Sequence, residues 1–320
     1  MKRIRVWLPI LFAVYLLVFW LVLSPYSDSY WIAYSLVEEL RIFLIPICIL
    51  FALFNIKNWK FLLLWLGLSV ITIFVVGLPS WGSRPASSGK TLKVLTYNVA
   101  GYEIDKPGVM KVLKESNADI IFLQEGCKTG QIRQTCEALS KELGGYFWTG
   151  ASNNLILSRY PLSDEKILKV PTKWPTKEYP SAVVSTPLGK IRVMCVHLEP
   201  SWVAAWPPAF GGAVQTLSKV CEDRRAQTDL VLASLVPSKE PIILAGDFNG
   251  PPRSESVLRF GKRFFDCFAA TEKGLGNTIL AKMPYKRIDY VWVRGLTPIQ
   301  SDVVDSVASD HRAMLTVVGR

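Results

Sequence analysis

The sequence predicts an α/β domain with a mixed sheet, preceded by apolar helices of the membrane type. From residue 92 onwards, short apolar runs alternate with helix-like stretches, which is the order of a layered α/β protein. The turn at 187–189 separates two apolar runs and makes them a hairpin, so the sheet cannot be purely parallel. The N-terminal quarter instead consists of long uncharged segments.

A transmembrane region is predicted over residues 1–78, with about three helices. Segments 6–23 and 61–78 each hold 18 uncharged, mostly apolar residues, about the length that crosses a bilayer as a helix. A helix over 40–54 is the weakest of the three, because its uncharged part is only 13 residues long and contains Pro46. That segment could instead lie in the membrane interface or re-enter the bilayer.

The basic residues orient these segments. Three of them lie within the first five positions, the loop 24–39 has none, and the loop 55–60 has two. Because basic loops stay in the cytoplasm, three spans place the N-terminus inside and the C-terminal domain outside. An arrangement with two spans would place Arg41, Lys57 and Lys60 outside the cytoplasm, against this rule. The prediction is therefore a multi-pass protein of the cell or inner membrane with an extracytoplasmic C-terminal domain.

Residues 79–90 are rich in Pro, Gly and Ser and are predicted to be a linker, which leaves 91–320 as the C-terminal domain. Residues 81–320 together have a net charge of +8, which suits an anionic substrate or an acidic membrane surface. The five cysteines outside the membrane region include no C-x-x-C unit of the kind that binds zinc. Cys127 and Cys136 could form a disulfide in an exported domain, or all the cysteines could be small buried residues.

The elements of the domain follow from apolar spacing. Helices are predicted where apolar residues recur every three or four positions, and strands where a short apolar run is bounded by turn residues. The predicted helices are 109–115, 131–143 and 213–236. The predicted strands are 92–99, 120–124, 154–157, 182–185, the run that ends at His197, 241–245, 288–293 and 314–318.

Polar side chains stand where these strands begin or end. They are Asn98, Glu125, His197, Asp247, Asn249, Asp289, Asp310 and His311. Strand ends commonly meet at one edge of a sheet, where sites are built, so these side chains are expected to converge. The two histidines are the only ones in the chain, and imidazole is the side chain whose ordinary pKa lies nearest neutrality. Each feature alone is typical of a turn or a solvated side chain, but the combination predicts an enzyme.

In this order, the segments around these residues resemble the endonuclease/exonuclease/phosphatase superfamily, the DNase-I-like metal-dependent phosphoesterases. The matching segments are LTYN at 95–98, IFLQE at 121–125, LILSRYP at 155–161, VHL at 196–198, AGDFN at 245–249, RIDY at 287–290 and SDH at 309–311. The resemblance covers about 91–320. It implies a four-layer α/β sandwich, two mixed sheets flanked by helices, here preceded by N-terminal transmembrane helices.

The resemblance also implies a divalent cation, Mg²⁺ or Mn²⁺. Glu125 is the strongest ligand candidate, Asn98 joins it directly or through water, and Asp310 helps to hold the metal. A hard cation of this kind prefers oxygen ligands and neutralises charge on a phosphate.

Five residues are assigned to catalysis by the same resemblance. His311 would act near the attacking water or the phosphate, and Asp289 would accept its other ring proton and fix the tautomer. Asp247 would orient or deprotonate the water for in-line attack. Asn249 and His197 would donate to the phosphate oxygens as charge develops. The identity of the general base stays open at this point.

The predicted function is that of a membrane-anchored phosphoesterase acting on a phosphodiester or phosphomonoester. An extracytoplasmic nuclease acting on DNA or RNA is the alternative, although the domain lacks the dense basic stripe with interleaved aromatics that is typical of nucleic-acid binding. A non-catalytic membrane-anchored binding module is a second alternative. The expected partners are a phosphate-ester substrate (a lipid head group, a small diester or nucleic acid) and the lipid bilayer, with no protein partner.

Two further segments bear on substrate binding. Residues 199–212 hold two Trp, one Phe and three Pro, and could form a lid, dip into the bilayer interface or fold back on the domain. Arg224 and Arg225 could reach a substrate phosphate, but pairing with the neighbouring Glu222 and Asp223 or with solvent is the expected outcome.

Overall fold

A computed structural model describes residues 2–40, 43–75, 79–86, 89–128, 130–172, 177–200, 210–235 and 237–320. The N-terminal part is helical. Its elements are α1 (Lys2–Val18), which continues through a π-helical turn (Phe19–Leu23) and a 3₁₀ turn (Ser24–Tyr26), α2 (Trp31–Tyr34), which continues as a π-helical turn (Ser35–Leu40), α3 (Leu44–Phe54) and α4 (Trp59–Val75).

These helices occupy the three apolar segments that the sequence indicates, although residues 76–78 lie outside the described part of the chain. One helical stretch, Trp7–Tyr26, is long and apolar enough to cross a bilayer, while α3 and α4 are apolar but shorter. The helices pack around a small core that includes Phe19, Cys48 and Trp65. Many of their Leu, Ile, Val, Phe and Trp side chains point outward and are exposed.

The C-terminal domain contains the remaining elements. Its helices are α5 (Lys106–Ser116), α6 (Ile132–Leu143), α7 (Phe210–Leu235), α8 (Glu255–Gly261) and α9 (Cys267–Thr271). Its strands, preceded by β1 (Ser80–Trp81), are β2 (Thr91–Asn98), β3 (Ile120–Gln124), β4 (Phe147–Ala151), β5 (Asn154–Ser158), β6 (Leu162–Lys169), β7 (Glu178–Thr186), β8 (Gly189–His197), β9 (Ile242–Asp247), β10 (Phe265–Asp266), β11 (Lys273–Gly274), β12 (Asp289–Arg294), β13 (Thr297–Val303) and β14 (Met314–Gly319).

The domain is a four-layer α/β sandwich, as expected. One six-stranded sheet has the order β13-β14-β2-β3-β5-β4 and the other the order β10-β12-β9-β8-β7-β6. Each sheet is mixed, with a parallel pair at its centre (β2 with β3, β8 with β9) and antiparallel neighbours. Apolar side chains from both sheets form the central core. Helices α5 and α6 cover the outer face of the first sheet, and α7 and α8 cover the second.

Strand register brings the polar residues into rows. In the second sheet His197 lies opposite Asp247, and Asp247 lies opposite Asp289. In the first sheet Asn98 lies opposite Gln124, the residue before Glu125. The two parallel pairs therefore end at the same edge of the sandwich.

Gly246 allows β9 to approach β8 closely at this edge. Its φ is +150°, and a Cβ built on it would lie 1.8 Å from the carbonyl oxygen of Val196. Only glycine fits this position, which comes immediately before Asp247.

The segment predicted to be a linker contributes a strand to the domain. In β1, Ser80 and Trp81 pair antiparallel with β11. The guanidinium of Arg84 donates to both carboxylate oxygens of Glu272 at 2.9 and 2.8 Å and to Asp302 at 2.6 Å. The chain is thus attached to the domain within a few residues of the end of α4.

The connection between α1 and α2 also packs against the domain. The Ser27 hydroxyl accepts from the backbone N–H of Glu255 at 2.7 Å, and Asp28 Oδ2 accepts from that of Ser256 at 3.0 Å. Asp28 Oδ1 accepts from Arg224 Nε at 3.2 Å. The predicted pairing of Arg224 with its helix neighbours or solvent is therefore wrong, because this side chain is wholly buried.

All six cysteines are free in this structure, including Cys127 and Cys136. Burial raises the pKa of the Cys136 thiol to about 12, as for a small core residue. The alternative of buried thiols, rather than a disulfide, therefore describes this structure.

Candidate active site

Asn98 and Glu125 join the two sheets at the strand ends. The Asn98 amide donates to Glu125 Oε1 at 3.2 Å and to Asp247 Oδ2, in the other sheet, at 3.1 Å. Its Oδ1 accepts from the backbone N–H of Ala100 at 3.1 Å, which fixes the orientation of the amide. Glu125 follows β3 in the left-handed region with φ +53°, a strained conformation for a side chain of this size. Its carboxylate is 41% exposed.

Asp247 is the buried centre of the cluster. Its Oδ1 accepts from the backbone N–H of Asn249 at 2.8 Å, while its Oδ2 lies 3.7 Å from Nε2 of His197 and 3.7 Å from Nε2 of His311. His197 Nε2 also lies 3.9 Å from Glu125 Oε1. Both imidazoles of the chain therefore approach one carboxylate oxygen.

Two further contacts fix the orientation of His311 and Asn249. His311 Nδ1 lies 2.9 Å from Asp289 Oδ2, and Asp289 is fully buried. A carboxylate at this distance holds a proton on Nδ1 and leaves Nε2 directed at Asp247. Asn249 has φ +49°, and its amide donates to the carbonyl of Leu198 at 2.9 Å.

Burial and neighbouring charges shift the pKa values of His311 and His197 in opposite directions. Burial alone would lower the pKa of His311, but the carboxylates of Asp289 and Asp247 outweigh it and raise that pKa to about 10. Burial lowers the pKa of His197 well below its ordinary value, and the positive charges of Lys177 and His311 lower it further. Without a bound cation, His311 is therefore charged and His197 neutral at neutral pH.

Asp247 has the pKa of a potential proton acceptor. Burial, followed by the charge of Asp289, raises its pKa to about 7, against the opposing effect of the charged His311. A group with a pKa near the working pH can both take up and release a proton.

Asp310 is less directly placed than the other residues of the predicted set. Its Oδ1 accepts from the Ser309 hydroxyl at 3.2 Å, and the same hydroxyl donates to the carbonyl of Asn98 at 2.8 Å. Asp310 thus adjoins the cluster through Ser309 rather than by a hydrogen bond to Glu125 or to the Asn98 side chain.

The donor set fits a hard cation. Glu125 offers a solvent-accessible carboxylate, and the Asn98 N–H group donates both to it and to the carboxylate of Asp247. A second possible cluster, of Asp247, Asp289 and His311, has ligand atoms that all lie within 4.8 Å of one another. That cluster is fully buried, and its Asp289 is already engaged by His311. Glu125 is therefore the better-placed ligand, and Asn98 would join it through Oδ1 once its amide rotated away from the Ala100 N–H.

Buried polar residues beside the site, among them Lys177 and Gln227, escaped the sequence analysis, which considered Arg224 only as a phosphate ligand or a surface residue. Lys177 Nζ lies 3.2 Å from Glu199 Oε2, and Gln227 donates to the same carboxylate oxygen at 3.5 Å. Arg224 donates to the carbonyls of Glu199 at 3.2 Å and Asn249 at 2.8 Å. A signal was present, since Arg224 and Gln227 share one helical stripe with the buried apolar residues of α7. The aromatic segment 201–209 lies outside the described residues.

A model of the endonuclease/exonuclease/phosphatase family matches residues 95–311. The chain belongs to this family. The match spans every residue of the cluster described above, and family members are hydrolases that act on phosphate esters, generally with divalent metals. None of the curated proteins compared with the chain matches it.

Solved structures of the family share the fold of this member. A functionally unknown conserved protein from Enterococcus faecalis V583 is 19% identical, with a TM-score of 0.55, over 72% of this chain and 100% of its own. D. rerio TDP2 complexed with single strand DNA product is 19% identical, with a TM-score of 0.56, over 72% and 100%. A mannosyl-6-phosphatase from Bacteroides thetaiotaomicron is 14% identical, with a TM-score of 0.52, over 72% and 100%. At these identities the likeness establishes the fold of the family member and not its substrate.

Proposed function

We propose that this protein is a membrane-anchored, divalent-metal-dependent phosphoesterase that hydrolyses its substrate by in-line attack of water. The observation that carries the proposal is the contact of the Asn98 amide with both Glu125 and Asp247, which joins a solvent-accessible carboxylate to a buried carboxylate flanked by two imidazoles. A binding module would have no need for two histidines of opposite charge state around one carboxylate.

Glu125 and Asn98 would hold the cation, Mg²⁺ or Mn²⁺, with Asp310 supporting them from beyond Ser309. When bound, the cation supplies positive charge that polarises the phosphate and offsets the charge developing on it.

The residues of the chain would divide the remaining work. Asp247 orients the attacking water and accepts its proton, which its raised pKa favours. His311, charged and held by Asp289, donates from Nε2 to a phosphate oxygen, and neutral His197 is a second potential donor there. The Asn249 amide keeps one N–H for the phosphate while the other donates to Leu198.

The membrane anchor is supported by the outward-facing apolar side chains of α1, α3 and α4. In water such a surface would be strongly unfavourable, whereas lipid chains cover it without cost. Trp7 and Tyr26 mark the two ends of the longest apolar stretch, and both are more than half exposed. They are 19 residues apart, about 28 Å along a helix, which is close to the thickness of a bilayer's hydrocarbon core.

The contacts with the domain favour three spans and an extracytoplasmic domain. The connection that follows α1 and the strand that follows α4 both attach to the domain, so the C-terminal ends of these two helices lie on its side of the membrane. The basic N-terminus and the turn at 55–58 then lie on the opposite side, as the charge distribution requires. Alkaline phosphatase fused after Arg320 should be active in the periplasm of a bacterial host, and the same enzyme fused after Asn58 should be inactive. The reverse pattern would refute this orientation.

A lipid head group is the substrate class that the geometry favours. Arg224 links the carbonyl of catalytic Asn249 to Asp28, which lies two residues beyond the apolar stretch that ends at Tyr26. The site is therefore only a few side chains away from the membrane surface, where a phosphate ester of a lipid would be presented. The alternative of an extracytoplasmic nuclease is supported by the fold likeness to a TDP2 that holds a DNA product, and by the positive charge of the domain.

An activity panel tests the proposal. The full-length protein in detergent–lipid micelles would be given Mg²⁺ with phospholipids, sphingomyelin, phosphatidylinositol phosphates, DNA, RNA and a chromogenic diester. We expect turnover of a lipid phosphoester that EDTA and Glu125→Ala abolish, while Glu137→Ala, on the exposed face of α6, leaves it unchanged. Turnover of nucleic acid alone would establish the nuclease. No turnover of any compound would refute the enzyme and favour the binding module.

A further inference from the structure

A groove separates the ends of the apolar helices from the C-terminal domain. Its volume is about 1040 Å³. Trp20 and Phe74 line it from the helices, and Trp81 and Phe265 line it from the domain side. All four rings are half or more exposed, and those of Phe74 and Trp81 stack with centroids 6.4 Å apart. Such a cluster of exposed aromatic rings at the end of apolar helices is typical of the bilayer interface.

Four basic side chains line the same groove. Two of them, Arg259 and Arg287, are each paired with a carboxylate of the domain. The other two, Arg253 and Lys262, have no carboxylate within 4.0 Å in the part of the chain that the structure describes. The groove therefore holds positive charge that the protein itself does not neutralise.

Arg253 is the more constrained of the two. Its guanidinium lies over the ring of Trp20, 5.6 Å from the centroid, and it is half buried. Its backbone carbonyl accepts from the Ser24 hydroxyl at 2.9 Å, which fixes the residue beside the end of α1. Burial lowers the pKa of Arg253, so an anionic ligand would relieve the cost of burying this charge.

The carboxylates of the groove do not compensate this charge. Glu255 accepts from the Ser29 hydroxyl at 2.9 Å and lies 3.9 Å from Arg225 Nε. Asp266 accepts two hydrogen bonds from Arg287 at 2.8 and 2.7 Å. Both acidic groups are thus directed to other partners.

We propose that this groove binds one anionic phospholipid of the leaflet that faces the C-terminal domain. Its phosphate would contact Arg253 and Lys262, and its acyl chains would run along Trp20 and Phe74 onto the apolar helices. Charge complementarity favours an anionic lipid, because a zwitterionic one brings a cation of its own to an already positive groove. The proposal rests on the membrane insertion proposed above but not on the chemistry of the active site. The lipid would be a ligand that fastens the domain to the surface, distinct from any lipid that is hydrolysed.

Lipid retention tests this inference. The full-length protein, purified in a mild detergent, would be exchanged into micelles with equal amounts of phosphatidylglycerol and phosphatidylcholine, and the bound lipid counted by native mass spectrometry. Wild type should retain about one phosphatidylglycerol. A basic residue near an anionic lipid contributes roughly fivefold in affinity, so Arg253→Gln/Lys262→Gln should bind it about 25-fold more weakly. The matched control Lys190→Gln/Lys141→Gln removes two exposed charges remote from the groove and should bind it as wild type does.

Three outcomes would overturn the inference. The first is equal retention of both lipids by wild type, and the second is unchanged retention of phosphatidylglycerol by the groove variant. The third is a dimer that forms in wild type and in the control but not in the groove variant, which would make a second copy of the chain the occupant. Extraction of membranes with alkaline carbonate distinguishes failure of the lipid-groove proposal from failure of the proposed membrane insertion. Release of the protein by carbonate would refute membrane insertion itself, whereas a resistant protein without lipid preference would refute only the groove.

Discussion

The ion pair between Asp28 and Arg224 is expected to fix the C-terminal domain to the N-terminal helices. Arg224 is fully buried, and Asp28 is 2% exposed. Asp28→Ala would remove the carboxylate that accepts from Arg224 Nε at 3.2 Å, and breaking a buried pair in this way costs about 3–5 kcal/mol. It would also remove the acceptor for the backbone N–H of Ser256. For a domain of this size, the loss corresponds to a decrease in Tm of roughly 10 °C.

Thermal unfolding of the full-length protein in detergent measures this loss. Asp28→Asn keeps one acceptor oxygen but removes the charge, so it should lose somewhat less stability than Asp28→Ala. Asp229→Ala breaks an exposed pair with Arg259 and is the matched control, with a loss below about 1 kcal/mol. Combining Asp28→Ala with Arg224→Met should be less destabilising than the sum of the single changes, because no charge is then left buried.

The same variants report on catalysis. Arg224 donates to the carbonyl of Asn249, whose backbone is held at positive φ, so loss of Asp28 should lower kcat while KM changes little. Asp28→Glu should restore part of kcat by restoring the charge. The reasoning would be refuted if Asp28→Ala unfolded within 2 °C of wild type with full activity, since Arg224 would then need no partner from the anchor.

Three further predictions concern the active site. Glu125→Ala and His311→Ala should each lower metal-dependent kcat by at least about 10²–10³-fold, and a residual activity above one tenth in either would remove that residue from the mechanism. The Tm of Glu125→Ala should stay within a few degrees of wild type, whereas His311→Ala should also lower Tm because it leaves the buried Asp289 without its partner. Asp289→Asn keeps the shape of the side chain but removes its charge, so the pKa of His311 in metal-free protein should fall clearly below about 10. NMR titration of the imidazole measures this pKa, and an unchanged titration would show that Asp289 does not set it. Gly246→Ala should prevent folding or lower stability by more than about 4 kcal/mol because its Cβ collides with the Val196 carbonyl, whereas Gly144→Ala, in open space, should cost only about 1 kcal/mol.

The sequence predicted best the elements whose burial is uniform. Strand β3 was expected at 120–124 and is observed there, because all five of its residues are buried and turn signals bound it. Strand β6 was missed because it is an edge strand with mostly exposed residues, so no alternation marks it. Helix α8 escaped because it is only seven residues long, and its first turn is capped from the distant connection between α1 and α2.

The sequence indicated residues that the structure brings close together, but it did not indicate their electrostatics, and their roles in catalysis stay predictions. The strand ends identified the residues, and register then brought His197, Asp247 and Asp289 into one row. The opposite charge states of the two histidines were not readable from the sequence, since both are buried and differ only in their neighbours. His311 has the carboxylate of Asp289 at 2.9 Å, whereas the charges that act on His197 are positive.

The N-terminal helices and the C-terminal domain are joined by buried polar contacts, and under the proposed function this has a consequence for catalysis. The carbonyl of Asn249 is held by Arg224, and Arg224 is neutralised by Asp28. A shift of α1 relative to the domain would therefore be transmitted to the phosphate-binding side of the site through two side chains, without any hinge. Asp28 Oδ1 lies 3.2 Å from Arg224 Nε, so this ion pair is one direct route by which the N-terminal helices contact the site. An active site assembled in this way is expected to depend on the membrane even for a small soluble substrate, so that turnover of a chromogenic diester should fall in detergents that separate α1 from α4. Equal turnover in such detergents and in lipid would show that the catalytic loops hold their geometry without the anchor.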